Sequence, residues 1–177
     1  MRTLNNALAL LLFATGGLAA QGSAGEDVRG AQLKKLELER NTLIAMADSM
    51  PESLYRDKVT PEQRDFAQQL VHAAGAVPMI ASRFMGAGQP SLPDTSVALN
   101  SEEGLKSFIN AAYDYAIGAL QGQSDEDRLV VVDFFGMMEI PKWQIWDEIH
   151  VHTMWTAGQV VANFRKHGMA PPAFTFF

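Results

Sequence analysis

The sequence predicts an all-α protein, a four-helix bundle, on three observations. Four segments carry apolar residues at the three- and four-residue steps that place them on one helical face. No sustained stretch alternates apolar and polar residues as a half-buried strand does. Caps and breakers separate the four segments, at Pro51, Thr60-Pro61, Gly86 to Pro93, Gly122 and Pro141. Bundles build their sites from side chains on facing helices, so polar residues inside the apolar stripes are where function is sought.

The elements follow in order. Arg2, the apolar run Ala7 to Ala14 and the small residues through Ala24 read as an export signal over residues 1–24, cleaved after Ala20 or Ala24. An apolar core of roughly a dozen residues is short of the ~20 that a spanning helix needs, so the mature protein, residues 25–177, has no stable membrane span. Leu33 to Met50 forms an amphipathic helix with Leu36, Leu43 and Met50 at heptad spacing and the charges Lys34, Lys35, Glu37 and Glu39 between them, ended by Pro51. Thr60-Pro61-Glu62-Gln63 reads as a capping box opening a second helix from Pro61 to about Met85. That helix carries His72, and Pro78 predicts a kink or a local break in it. A Gly- and Pro-rich loop leads to a third helix that starts near Asn100 or Ser101 and stops at Gly122. Leu129 to Ile140 is β-branched and aromatic around Gly136, which suits a short hairpin or an extended strap. Pro141 opens the last helix. It is expected to run unbroken to His167 with Ile145, Ile149, His152, Thr156 and Val160 on one face, and to stop at Gly168 ahead of Pro171-Pro172.

Composition bounds the function. With 177 residues, 47% of them hydrophobic, the chain is long enough for one domain with an ordinary core. The formal net charge of −6 argues against a surface built to neutralise phosphates, which sets nucleic acid aside as a partner. No cysteine is present, so disulfides, thiolate ligands and a cysteine nucleophile are excluded, and a lipid-modified cysteine with them.

The run His152-x-x-x-Thr156-x-Gly158-Gln159, followed by Val160-Val161, Phe164-Arg165, Gly168 and Pro171-Pro172, resembles the C-terminal signature of the DinB-like superfamily. In that signature a second histidine stands where this chain has Thr156. The stretch from Val59 to His72 resembles the family's second helix, whose single histidine falls on His72. The resemblance implies a four-helix bundle with a crossover connection. It also implies a divalent metal of the zinc or nickel type held by three imidazoles, with coordination left open for metal-dependent hydrolysis or thiol S-transfer on a small molecule.

Two of those three histidines, His72 and His152, are retained. A threonine hydroxyl is a poor ligand for such metals, so Thr156 weakens the centre unless another group replaces the imidazole. Glu148, four residues before His152, is one candidate, although a solvated helix charge is its simpler reading. His150 lies about 200° around the helix from His152 and reads as a surface or interface residue. His167, in the last turn, reads as a cation compensating the dipole. His72 and His152 could instead be a hydrogen-bonded core pair, and Trp143, Trp146 and Trp155 either line a pocket or fill the core. Two function classes stand: an exported metal-dependent hydrolase or transferase, with export weighing against thiol transfer, and a non-catalytic bundle that binds a small ligand or a partner. A homodimer is compatible with either.

Export is directly testable. Intact-mass measurement of the exported protein should place the mature N-terminus between Gln21 and Gly25. A full-length mass in the soluble cytosolic fraction would refute the leader.

Overall fold

The heptad residues of the first helix form the seam of the bundle: Leu36, Leu43 and Met50 are all buried, on α1 (Ala14–Ser49). The computed structural model describes residues 14–173 and 175, with side chains from Asp27 onward. The expected leader therefore lies outside the described residues over 1–13, and outside the described side chains over the rest. No helix among the described residues is long and apolar enough to cross a membrane.

After a 3-10 turn at Glu52–Leu54 come α2 (Phe66–Phe84), the short α3 (Thr95–Ala98) and α4 (Glu102–Gly122). Then α5 (Asp125–Leu129), the hairpin β1 (Val131–Phe134) and β2 (Met138–Pro141), α6 (Lys142–Gln159) and α7 (Val161–Lys166) complete the order. Side-chain pairings fix the helix directions. Lys35 reaches Asp147 and Glu39 reaches His150, so α1 and α6 run parallel. Arg40 reaches Asp114 while Lys106 reaches Asp48, so α1 and α4 are antiparallel. Gln69 meets Gln159 and His72 meets His152, so α2 and α6 are antiparallel as well. It follows that α2 and α4 run the same way side by side. Parallel neighbours cannot be joined by a tight turn, so residues 86–101, including α3, travel back along the bundle as the crossover connection.

Local chemistry sets the helix ends. Ser101 caps α4 by accepting from the Gly104 amide, with Glu102 and Glu103 in the first turn where anions suit the dipole. The second helix starts five residues later than the Thr60 signal predicts. Thr60 to Gln63 forms only a turn, and Asp65 makes the capping box: its carboxylate accepts from the Gln68 amide at 2.8 Å while the Gln68 side chain accepts from the Asp65 amide at 3.1 Å. Asp65 prevails because its other oxygen is held by Arg56 at 2.8 Å and because Tyr55 and Asp57 carbonyls take up the first-turn amides of Ala67 and Phe66.

Pro78 does not break α2. It is buried within the continuous helix, where tertiary packing outweighs the one backbone hydrogen bond it removes. The residues between Leu129 and Ile140 do form the hairpin, with Phe135 at φ 59° and Gly136 at φ 71° in the turn. Phe135 is held in that unusual conformation by edge-to-face packing on Phe84 with centroids 4.8 Å apart, and by the Arg83 guanidinium over its ring.

The last helix is not continuous. Val160 closes onto Ala157 and Asn163 onto Val160 through three-residue hydrogen bonds, which separates α6 from α7. Gly158 lowers helix propensity just before the break, and Asn163 and Lys166 are drawn onto the backbone carbonyls of Asp57 and Lys58. The expected stop is present in full. Gly168 sits at φ 70°, its amide bonds the Arg165 carbonyl and the Met169 amide bonds that of Phe164, completing a Schellman motif.

The cap assignment makes a prediction. Asp65→Ala should cost about 1–2 kcal/mol of unfolding free energy, whereas Thr60→Ala should cost less than about 0.5 kcal/mol. Urea denaturation of both variants checks this, and a larger loss for Thr60→Ala would return the helix start to the earlier position.

Candidate functional site

His72 and His152 are brought together because α2 and α6 pack antiparallel with Gln69 bridging them. Gln69, one turn before His72, donates its amide to the Thr156 carbonyl at 3.4 Å, one turn after His152, and to Gln159 Oε1 at 3.0 Å, two turns after it. The two half-buried imidazoles meet edge to face with ring centroids 5.3 Å apart. His152 Nδ1 is shut off from solvent and has no hydrogen-bond partner. Burial, reinforced by the Arg64 charge, pushes both imidazole pKa values below the usual range, and His152 adds to the lowering at His72. Both rings are therefore held in the neutral form that can bind a metal or accept a proton.

The donor set fits a divalent ion only in part. Two imidazoles sharing a tetrahedral ion at metal–nitrogen distances of about 2.1 Å have centroids on the order of 5 Å apart, close to the observed spacing. Thr156 is buried one turn after His152 and offers no nitrogen, sulfur or carboxylate. Glu148 is engaged by Gln144 at 3.4 Å, and no group of three His, Cys, Asp or Glu positioned for a metal occurs among the described residues. One helical turn from His72, toward the Arg64 end of α2, lies a cleft of about 470 Å³ lined by Glu62, Gln63, Arg64, Gln69, Gln159 and Asn163; neither histidine is in its lining.

The opposite side of α6 holds a second polar centre that the sequence reading missed. Glu39, grouped there with the solvated charges, is fully buried. His150, expected at the surface, turns into the bundle and sets its Nδ1 2.8 Å from Glu39 Oε1. Tyr113 on α4 donates to the other carboxylate oxygen at 3.1 Å. Thr153, also fully buried, stands against both groups, yet its Oγ1 makes no well-formed hydrogen bond. The signal was present: Glu39 lies three residues after Leu36 and four before Leu43, on the buried stripe itself.

The remaining candidates disperse. His167 pairs with Asp57 at 2.7 Å beside Lys166, and the hydrogen bonds from Lys166 and then His167 hold the Asp57 carboxyl below its usual range. Trp146 is core and donates to Gln123 at 2.7 Å, Trp143 is half-buried, and Trp155 is 75% exposed.

Comparison with known proteins agrees with this architecture. The chain has the DinB-like fold: it is similar to a crystal structure of a DinB-like protein from Bacillus cereus ATCC 10987, with a TM-score of 0.70 over 81% of this chain and 95% of that one. Sequence identity between the two is 19%, so the likeness is one of fold. No family model and no curated protein matches the chain.

Glu39 gives the site a pH signature. Burial raises its carboxyl pKa, outweighing the lowering from His150, Tyr113 and Thr153. A carboxyl whose folded pKa is raised binds its proton more tightly in the native state, so its contribution is full below the unfolded value of 4.5 and is lost as pH rises through the folded value. Glu39→Gln removes this titration. The stability of the variant relative to the parent should therefore increase as pH rises above about 4.5 in urea unfolding, and a difference that is flat or falls with pH would contradict the assignment.

Proposed function

We propose that the chain is an exported small-molecule enzyme, a metal-dependent hydrolase or transferase, whose divalent ion of the zinc or nickel class is held by His72 and His152. The observation that carries this reading is the pairing of two neutral imidazoles 5.3 Å apart with the buried Nδ1 of His152 left without a partner. A pair serving only the core would be expected to satisfy that nitrogen, because an unpaired buried polar atom costs about 1–3 kcal/mol. An ion bound there would supply Lewis acidity, lowering the pKa of a coordinated water or thiol. The chain's own residues do the rest: Gln69 fixes the α2–α6 spacing, burial with the Arg64 charge behind it favours the unprotonated imidazoles, and the cleft admits the substrate.

A second reading is favoured by one observation, that no third protein ligand joins the pair among the described residues. On that reading the bundle binds a small molecule without turning it over. Metal affinity separates the two. Parent protein purified without chelator or histidine tag should gain thermal stability on adding zinc or nickel, because an ion bound only by the folded state stabilises it by mass action. Thr156→His, which puts an imidazole one turn from His152, should gain clearly more. His72→Ala should abolish both responses. Absence of any metal-dependent shift in the parent and in Thr156→His would leave the ligand-binding reading in its place.

A further inference from the structure

Three features near the histidine pair offer contacts to a bound molecule. Arg64 lines the cleft and its charge is felt at both imidazoles, yet among the described residues it has no ion-pair partner. The neighbouring Asp65 is occupied by Arg56 and by its capping bonds, so it does not neutralise Arg64. Gln159, whose Oε1 accepts from Gln69, has its own amide N–H groups left over on the same cleft. Trp155 lies three residues after His152 and four before Gln159, hence on their face of α6, and is 75% exposed. Its ring is thus free to contact a molecule that extends out of the cleft past Gln159.

We propose that this cleft binds a small molecule through an anionic group, a carboxylate or a phosphate, held by the Arg64 guanidinium and the Gln159 amide, with a flat apolar body laid against Trp155. The inference rests on the reading that the cleft one turn from His72 is where substrate sits. An unpaired guanidinium offers a planar fork of donors matched to such an anion. Gln159 adds a neutral donor, and the Gln69–Gln159 bond holds it in place. Glu62, in the same cleft, repels surplus negative charge and so favours a single compact anion over a polyanion. The anion would then be anchored at one end of the cleft with the rest of the molecule extending along α6 toward the imidazoles. That order suits a site in which binding and chemistry are separated along one groove.

The full-length mature protein, held metal-free with chelator, is titrated with sodium benzoate, phenyl phosphate and the neutral benzamide, following tryptophan fluorescence and calorimetric affinity. Benzoate or phenyl phosphate should bind saturably and at least about tenfold more tightly than benzamide, more weakly as salt is raised. The tighter of the two anions identifies the group. Arg64→Gln should remove the preference for the anion, and Trp155→Leu should weaken every probe severalfold, with unchanged circular dichroism showing that both variants fold. Equal affinity for benzamide and benzoate, an Arg64→Gln variant that binds like the parent, or no saturable binding by any probe would overturn the proposal. Because metal is excluded throughout, failure of the metal centre leaves this result unaffected.

Discussion

One buried carboxylate governs how the bundle closes. Glu39 has no access to water, and an isolated ionised carboxylate there would cost far more than the few kcal/mol by which a domain of this size is stable. It is accommodated because three helices converge on it: α1 presents it, α4 brings the Tyr113 hydroxyl, and α6 brings His150. Each of those contacts fixes a register. Moving α6 by one turn against α1 would strand the carboxylate, and moving α4 would leave the phenol unpaired. Apolar packing alone tolerates such slips far better than a buried polar group does.

That constraint reaches the candidate site through α6. The helix is polar on two sides, with His150 and Thr153 turned toward α1 and α4, and His152 and Thr156 turned toward α2. Residues two apart on a helix point in nearly opposite directions, so locking His150 onto Glu39 necessarily aims His152 at α2. The position of the imidazole pair is thus set from both sides of α6: by the Glu39 centre behind it and by the Gln69 bridges in front. Even the break at Val160 serves this arrangement, since it lets α7 turn onto Asp57 without dragging α6 out of register.

How much of this was legible in the sequence depended on whether a signal was local. The Leu36, Leu43 and Met50 stripe, the Ser101 cap and the Gly168 stop follow from spacing or from one residue's backbone preference, whereas the facing of His72 toward His152 followed only from the family resemblance; all appear in the structure. The start of α2 did not follow, because Thr60 and Asp65 are both competent caps and the choice was made by Arg56 and the carbonyls of Tyr55 and Asp57. Glu39 and His150 were misread for a related reason. A charged residue is assigned to solvent by type, and only the partners that arrive from α4 and α6, 74 and 111 residues away, make its burial possible.

The same physics separates the two polar centres of α6 by role. Around Glu39 every strong acceptor has found a donor, the pocket is closed, and the residual misfit is a single threonine hydroxyl. Such a centre specifies structure. Around His72 and His152 the balance is reversed: the rings are half-buried, one nitrogen has no partner, Arg64, whose charge acts on both rings, has no counter-ion among the described residues, and a cleft opens one turn away at Gln69. Unsatisfied groups beside open volume are what a protein retains where a ligand is to supply the missing contacts. Thr156, buried one turn after His152, brings only a hydroxyl to that deficit, a poor ligand for ions of the zinc class. The two faces of α6 thus differ in kind: toward α1 and α4 one threonine hydroxyl is left over in a closed pocket, and toward α2 an imidazole nitrogen is left over next to the Gln69 bridge.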